Sequence, residues 1–397
     1  MRIYHFSEQP CPEAWGEQNA SLRVNLASRN CDPRAMAEHY HHRLDEWLLA
    51  DELGLDIMVN EHHATATCAT PVAAVPLAIL ARQTKRARLL TLGYPIANRL
   101  DPVRVAEELA MIDVISRGRL EMGFVRGVPY EVPLSQRSAV GQMARFWEAH
   151  DLILKAMTSI DGPFDWQGEH FQYRNVNVWP RVYQQPHPPV WITGRSPQNI
   201  REIAERGYVL GTFLSGFHTK GLLDQYRKAC ADLGRPAPAA DRFSYLGIVA
   251  IAQDAKEAMR RAELMVGYLR TSGRVAEPFS TPPGYFSLAD ATKMVKTRGK
   301  RGITARDGKF VDTHHGAIED LVKAGIMFVG TPDEVTSQIT DFVESIGGLG
   351  HLLLMGHAGH LPHADAMDQI TLLAREVLPR VQRPSADLAQ SSRAAGG

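Results

Sequence analysis

Asp56-Ile57-Met58-Val59-Asn60-Glu61-His62-His63 runs from an apolar core into an acid and two histidines. A strand buried on both faces reads as such a continuous apolar run, whereas a strand with one wet face alternates. Polar side chains at the C-terminal end of a buried parallel strand are what an α/β barrel displays on its active-site face. Taken alone, the histidines read more simply as strand-end caps bonded to loop backbone. The surrounding chain shifts that balance.

Outward from this stretch, short apolar runs alternate with segments of helical period, the pattern of repeated βα units. Eight strands are predicted, at Ile3-Phe6, Asp56-Asn60, Arg88-Gly93, Leu120-Val125, Val190-Gly194, Val209-Leu214, Phe243-Ile251 and His351-Met355. Helices are predicted over 33–53, 71–84, 102–116, 138–158, 197–206, 218–233, 254–270 and 364–378. Eight units close a (β/α)8 TIM barrel. Asp32-Pro33 and Asp101-Pro102 each place a capping acid before a proline at the first helical position. Two stretches exceed the repeat and read as insertions after strands 4 and 7. The first, about 162–189, carries a short hairpin; the second, about 271–330, is rich in Gly, Pro, Lys and Arg and reads as a lid containing Pro282-Pro283-Gly284-Tyr285-Phe286. Thr331-Pro332-Asp333-Glu334 starts a further helix. Residues 1–382 form one barrel domain, and 383–397, rich in Ser, Ala and Gly, read as a disordered tail.

The 397 residues are 44% hydrophobic and 22% charged, enough to bury a large core. Lys plus Arg and Asp plus Glu both number 44, so no basic field exists to hold nucleic acid or an anionic membrane. Small molecules are the expected partners. Cys11, Cys31, Cys68 and Cys230 show neither zinc-site pairing nor disulfide density, and no apolar run has membrane-spanning length. A cytoplasmic protein is expected, without a signal peptide.

Three more clusters fall at predicted strand ends. Thr91-Leu92-Gly93-Tyr94-Pro95 contains a glycine that would let backbone approach a flat ligand. Gly123-Phe124-Val125-Arg126-Gly127-Val128-Pro129-Tyr130 sets an arginine where it could clamp a phosphate or form a structural salt bridge. Thr193-Gly194-Arg195-Ser196-Pro197-Gln198-Asn199 passes from strand to helix, so free N–H groups and the positive helix end offer a phosphate cradle, although such a turn is also ordinary barrel architecture. His39, His41 and His42 cannot share one helix face. His314-His315 fit either a substrate contact or a solvated turn, and His357, His360 and His363 follow the eighth strand, where phosphate or loop contacts are expected ahead of a metal.

These residues resemble the bacterial luciferase-like flavin-dependent monooxygenases. The resemblance rests on Glu61-His62-His63, Asp101-Pro102-Val103-Arg104, Ser116-Arg117-Gly118-Arg119-Leu120, Gly123-Phe124-Val125-Arg126-Gly127, Gly194-Arg195-Ser196 and Val329-Gly330-Thr331-Pro332-Asp333-Glu334, across most of residues 1–380. It implies a homodimer or homotetramer that takes reduced FMN from a separate NAD(P)H-dependent flavin reductase and oxygenates a small organic substrate with O2 through a flavin peroxide. It also implies that His62 is catalytic and that Arg126 meets the flavin phosphate. Thr91, Gly93, Tyr94, Gly127, Tyr130, Gly194, Arg195, Ser196 and Asn199 complete the cofactor site it implies. The family often has a non-proline cis peptide at a position matching Gly93-Tyr94. The chain departs at Val125, where light-emitting members carry a reactive cysteine, and at Ala64, where they carry an aromatic. Long-chain aldehyde is therefore a doubtful substrate. A deazaflavin-dependent oxidoreductase of the same fold, a non-catalytic flavin-binding subunit and a metal-dependent barrel hydrolase are the competing readings; the retained His62 argues against the second, and the lack of carboxylate ligands at other strand ends against the third.

Overall fold

The computed structural model describes residues 1–16, 19–135, 137–288, 292 and 302–382. The tail expected at 383–397 and the middle of the second insertion therefore lie outside the described residues. The strands are β1 (Arg2–Ser7), β2 (Asp56–Val59), β3 (Leu89–Pro95), β4 (Leu120–Val125), β5 (Phe164–Gln167), β6 (Gln172–Val176), β7 (Val190–Thr193), β8 (Val209–Phe213), β9 (Phe243–Ile251), β10 (Gly302–Thr304), β11 (Phe310–Asp312), β12 (Met327–Gly330) and β13 (His351–His357). Parallel pairing in the order β1-β2-β3-β4-β7-β8-β9-β13 returns to β1 and closes the (β/α)8 barrel. All eight predicted strands are present. The hairpin β5–β6 occupies the first insertion, as its alternating aromatics suggested.

Three strands escaped the sequence reading: β10 and β11, which pair as a hairpin inside the second insertion, and β12. β12 lies along the second half of β9, Met327 opposite Ile248 and Gly330 opposite Ile251, while β8 pairs with the first half. Its four apolar residues end a Gly- and Lys-rich segment, so they read as part of the insertion. The long strand β9 thus receives two neighbours in succession on one edge.

The helices packed around the barrel include α1 (Pro33–Leu53), α2 (Ala74–Gln83), α3 (Pro102–Ser116), α4 (Gln142–Thr158), α5 (Pro197–Arg206), α6 (Thr219–Asp232) and α7 (Ala255–Met265). Asp32 and Asp101 cap α1 and α3 by accepting the Arg34 and Arg104 N–H groups at 2.9 and 3.1 Å. The helix Pro332–Ser345 begins with a complete capping box between Thr331 and Glu334. The predicted helix 254–270 instead breaks after Met265 and resumes at Gly267.

Alternation along the strands divides the core. Tyr4, Phe6, Met58, Leu90, Leu92, Trp191, Leu246, Leu353 and Met355 belong to the cluster that fills the barrel, while Ile3, Ile57, Leu89, Phe124 and Ile192 pack outward against helices. Each such side chain contributes about 1.5–3 kcal/mol on burial. Charges close the N-terminal end: Arg2 donates twice to Asp56, at 2.7 Å each, and Tyr4 Oη donates to Glu121 at 2.8 Å.

Burial pushes two histidines down, His5 on β1 and His351 at the foot of β13, both to about 4. Unfolded histidine titrates near 6.5, so between the two values the unfolded chain binds the extra protons. Their contribution is complete above pH ~6.5 and is lost as pH falls toward 4. Replacing His351 with glutamine should remove one proton from this dependence, flattening urea-derived stability by ~1.4 kcal/mol per pH unit between pH 6 and 5. An unchanged slope would show that His351 is not held neutral.

Candidate active site

The inward alternation of β1 and β2 continues past their ends, so Glu8, Asn60 and His62 line one side of the barrel mouth; Asn60 Nδ2 donates to Glu8 Oε2 at 3.4 Å. His62 Nδ1 lies 2.9 Å from Glu131 Oε1, and the same oxygen accepts the His63 backbone N–H at 3.0 Å. Burial would raise the Glu131 carboxyl, but the charge and hydrogen bond of His62 and the His63 N–H hold it below the usual range. An ionised Glu131 makes His62 Nδ1 the donor and leaves Nε2 facing the mouth. Glu131 sits in the short turn after β4 and reaches across β3 to this histidine.

Glu61 and His63 take the opposite side. Buried Glu61 accepts from Arg99 at 2.6 Å, from His63 Nε2 at 3.2 Å and from the Ala73 N–H at 2.9 Å. The hydrogen bond to Glu61 raises the His63 pKa. This pair ties the end of β2 to the start of α2 and does not line the mouth.

β3 departs from expectation. A bulge at Gly93, with φ 139°, shifts the register between Leu92 and Tyr94. Tyr94 consequently turns outward onto α3, where Oη donates to Glu108 at 2.5 Å. Thr91, fully buried and out of phase with Leu90 and Leu92, also faces the helices. Neither side chain reaches the mouth. The Gly93-Tyr94 peptide is not cis; the cis bonds among the described residues are Trp179-Pro180 and Gln185-Pro186. The glycine makes the turn instead, and a Cβ there would approach the Asn60 Cβ and the Glu61 backbone nitrogen at 3.2 Å.

Tyr130 does reach the site: its Oη is 3.4 Å from His62 Nδ1 and accepts from the buried guanidinium of Arg23, which also lies 4.6 Å from the ring centroid. Arg23 arrives on the loop following β1. That loop is held by Arg274, whose guanidinium donates to the carbonyls of Trp15, Gly16 and Asn19, while the Leu22 N–H donates to Arg274 O at 2.9 Å.

Arg126 and Gly194 lie two residues beyond the paired residues Phe124 and Ile192, so the β4 and β7 ends present them side by side. Arg126 stacks 3.7 Å above the Tyr285 ring, and Tyr285 Oη donates to Gly127 O at 2.7 Å. The second insertion thereby closes over the β4 loop. Across from it, Ser196 caps α5 by accepting the Asn199 N–H at 3.3 Å, and Asn199 Nδ2 donates to Thr193 O at 3.1 Å, leaving a buried Oδ1 without a partner. Arg195 is exposed and donates to Phe213 O at 3.3 Å. Gly194 serves packing, since a Cβ would meet Ile203 Cδ1 at 2.8 Å.

Several other histidines make contacts within the fold. His357 and His363 each place Nδ1 on Glu46 Oε1, at 2.8 and 2.9 Å, and His360 packs edge-on against Trp15. Phosphate and loop contacts were expected of this trio; a buried carboxylate on α1 takes two of them instead. The His314 and His315 N–H groups donate to Asp312 within a turn, and His39 pairs with Glu13. Cys68 is buried, and burial raises its thiol well above the usual range. Sequence reasoning missed Glu131, Arg23 and Glu8. An acid directly after Tyr130 was the available signal for the first; nothing local marked the others.

A (β/α)8 barrel whose mouth carries a carboxylate-held histidine, with an arginine and a helix N-terminus side by side at two neighbouring strand ends, has the architecture of a barrel enzyme. The model of the luciferase-like monooxygenase family matches residues 22–348, and the chain belongs to that family. It is 30% identical over 220 residues to uncharacterized protein y4wF of Sinorhizobium fredii, covering 55% of this chain and 63% of that one. It is 29% identical over 260 residues to the oxygenase component of the flavin-dependent trigonelline monooxygenase of Acinetobacter baylyi, covering 62% and 70%. The chain thus spans roughly two thirds of the length of these relatives. Among solved folds, the oxygenating constituent of 3,6-diketocamphane monooxygenase from a Pseudomonas putida plasmid, in complex with FMN, superposes with a TM-score of 0.67 at 19% identity, covering 96% and 98%. An F420-dependent secondary alcohol dehydrogenase superposes with a TM-score of 0.65 at 17% identity, covering 96% and 100%.

Proposed function

We propose that this protein is the oxygenase component of a two-component monooxygenase, using O2 and reduced FMN from a separate NAD(P)H-dependent flavin reductase to oxygenate a small organic substrate. The observation that carries this reading is the His62–Glu131 pair at a mouth that also presents Arg126 and the capped N-terminus of α5. Membership of the family and the flavin dependence in the name of the Acinetobacter relative support it.

The residues fit a flavin mononucleotide. Arg126, Arg195, Ser196 and the α5 N-terminus supply positive potential and donors for a phosphate. Gly93 and Gly127 let the β3 and β4 ends pass close to their neighbours, since a Cβ would meet Asn60 Cβ at 3.2 Å or Asn98 Nδ2 at 2.6 Å. When bound, reduced FMN supplies the electrons that activate oxygen. His62 Nε2 then holds or delivers a proton at the mouth, and Glu131 fixes the ring and its tautomer. Tyr285 over Arg126 and the loop carrying Arg23 restrict water entry.

Anaerobic fluorescence titration with reduced FMN tests the cofactor assignment. Arg126→Ala should weaken binding by roughly 10–100-fold, the worth of a charge-assisted phosphate contact; unchanged affinity would remove Arg126 from the site. Because the fold is shared with an F420-dependent dehydrogenase, the same titration with reduced F420 separates hydride transfer from oxygenation. Oxygen consumption with enzymatically reduced FMN completes the test. A homodimer or homotetramer is proposed, and Val75, Met111 and Ile115 give α2 and α3 an exposed apolar surface suited to it. Among the described residues no helix is long and apolar enough to cross a membrane, in keeping with the proposed cytoplasmic location.

A further inference from the structure

Arg23 is 4% exposed, and among the described residues its guanidinium pairs with no carboxylate. Its hydrogen bond to a side chain goes instead to the Tyr130 hydroxyl, and it stacks 4.6 Å from the centroid of that ring. A buried arginine ordinarily meets an acid, because an unmatched cation is costly to desolvate. The chain also accepts backbone strain to place it. Val24, the next residue, and Ala64, which follows His62-His63, have left-handed φ of 67° and 48°, and the Val24 N–H donates to Ala64 O at 2.6 Å. A β-branched residue stays in that region only where its surroundings over-determine it. Arg23 itself bridges Thr65 on one side and Val275, beside Arg274, on the other.

This placement serves Tyr130. Its Oη stands 3.4 Å from His62 Nδ1, whose proton goes to Glu131 Oε1 at 2.9 Å. A ring bonded through one atom to one carboxylate can still rotate about that bond. At 3.4 Å the phenol is a weak second acceptor, and its larger effect is to stop the imidazole from swinging to its side. An arginine can only donate, and its charge-assisted bond keeps the phenol oxygen in place.

We propose that Arg23 and Tyr130 are positioning residues for His62: Arg23, acting through the Tyr130 hydroxyl, fixes the plane in which Nδ1–H meets Glu131 and Nε2 faces the mouth. What His62 does with that geometry rests on the functional reading above, whereas the geometry belongs to the flavin-free protein. The Leu22 N–H on Arg274 O and the Val275 bridge carry the setting further. His62 is therefore correctly aimed only while the loop after β1 and the second insertion are docked on each other.

The test follows the imidazole by NMR in flavin-free protein isotope-labelled at histidine nitrogen. The His62 signals are those missing from His62→Gln. In the wild type the neutral ring should show one tautomer, protonated at Nδ1, with a slowly exchanging proton. Tyr130→Phe and Arg23→Met should each speed that exchange by ~10-fold or more, the worth of one hydrogen bond, and admit the second tautomer. Arg274→Gln, which alters neither ring, should move the same signals in the same direction. Loss of global stability alone would speed exchange at buried backbone amides equally, so those amides are the control. Circular dichroism checks folding, and Tyr130→Phe, which removes one oxygen, decides alone if Arg23→Met does not fold. Unchanged exchange in Tyr130→Phe or in a folded Arg23→Met would overturn the proposal, as would acceleration no greater than that of the amides. Unmoved signals in Arg274→Gln would overturn the link to the docked segments. Reduced-FMN titration of the same preparations separates this from the cofactor reading. Wild-type protein that shows the slow Nδ1 proton, lost in the variants, but binds no FMN refutes that reading alone; FMN binding with no response in the variants refutes the positioning alone.

Discussion

His62→Ala is expected to lower substrate oxygenation by roughly 10²-fold or more, the usual worth of a positioned proton-transfer group. Reduced-FMN affinity should stay within a factor of about two, because the proposed phosphate contacts lie at the β4 and β7 ends, away from this ring. Electrons would still enter, so the diverted flux should appear as hydrogen peroxide. Glu131→Gln gives a finer version: the ring keeps a neighbour of the same shape but loses the carboxylate that fixes Nδ1–H, so activity should fall by less and shift in pH dependence. Undiminished oxygenation by His62→Ala would exclude proton handling at this atom.

The largest stability effect is expected at Glu46 on α1. Fully buried, it accepts from Ser7 Oγ at 2.5 Å, His357 at 2.8 Å, His363 at 2.9 Å and Arg43 at 3.1 Å. Burial would raise its pKa, but the charges of His357 and Arg43 and the histidine hydrogen bonds hold it well below the usual value. Its contribution is therefore present above the unfolded carboxyl pKa and lost only as pH falls through the depressed folded one. Glu46→Ala leaves Arg43 buried and unpaired, and a loss of about 3–5 kcal/mol in urea unfolding at pH 7 is expected. A loss below about 1 kcal/mol would mean that water or a rearranged side chain replaces the carboxylate.

The barrel was legible because buried parallel strands write themselves as local apolar runs, and because Asp32-Pro33 and Asp101-Pro102 announce helix starts chemically. β12 was not, since four apolar residues beside a long glycine-rich stretch carry no periodicity of their own. At the site, His62, Arg126, Tyr130 and the 194–199 turn were legible from strand-end position. Tyr94 and Thr91 misled: at one the Gly93 bulge reversed the alternation, and at the other the strand's phase pointed to the helices. Glu131, Glu8 and Arg23 acquire their significance only when separate strand ends and the loop after β1 are brought to one mouth, which no local pattern encodes.

Arg274 gives the roof of that mouth a particular inheritance. It binds the carbonyl of Trp15, a residue 259 positions away, and two further carbonyls of the same loop. The loop that delivers Arg23 and the insertion that delivers Tyr285 are thus cut to fit each other. A chimera that imports either segment alone from a relative would receive a covering with mismatched seams, so new specificity in this scaffold should be sought by exchanging both together.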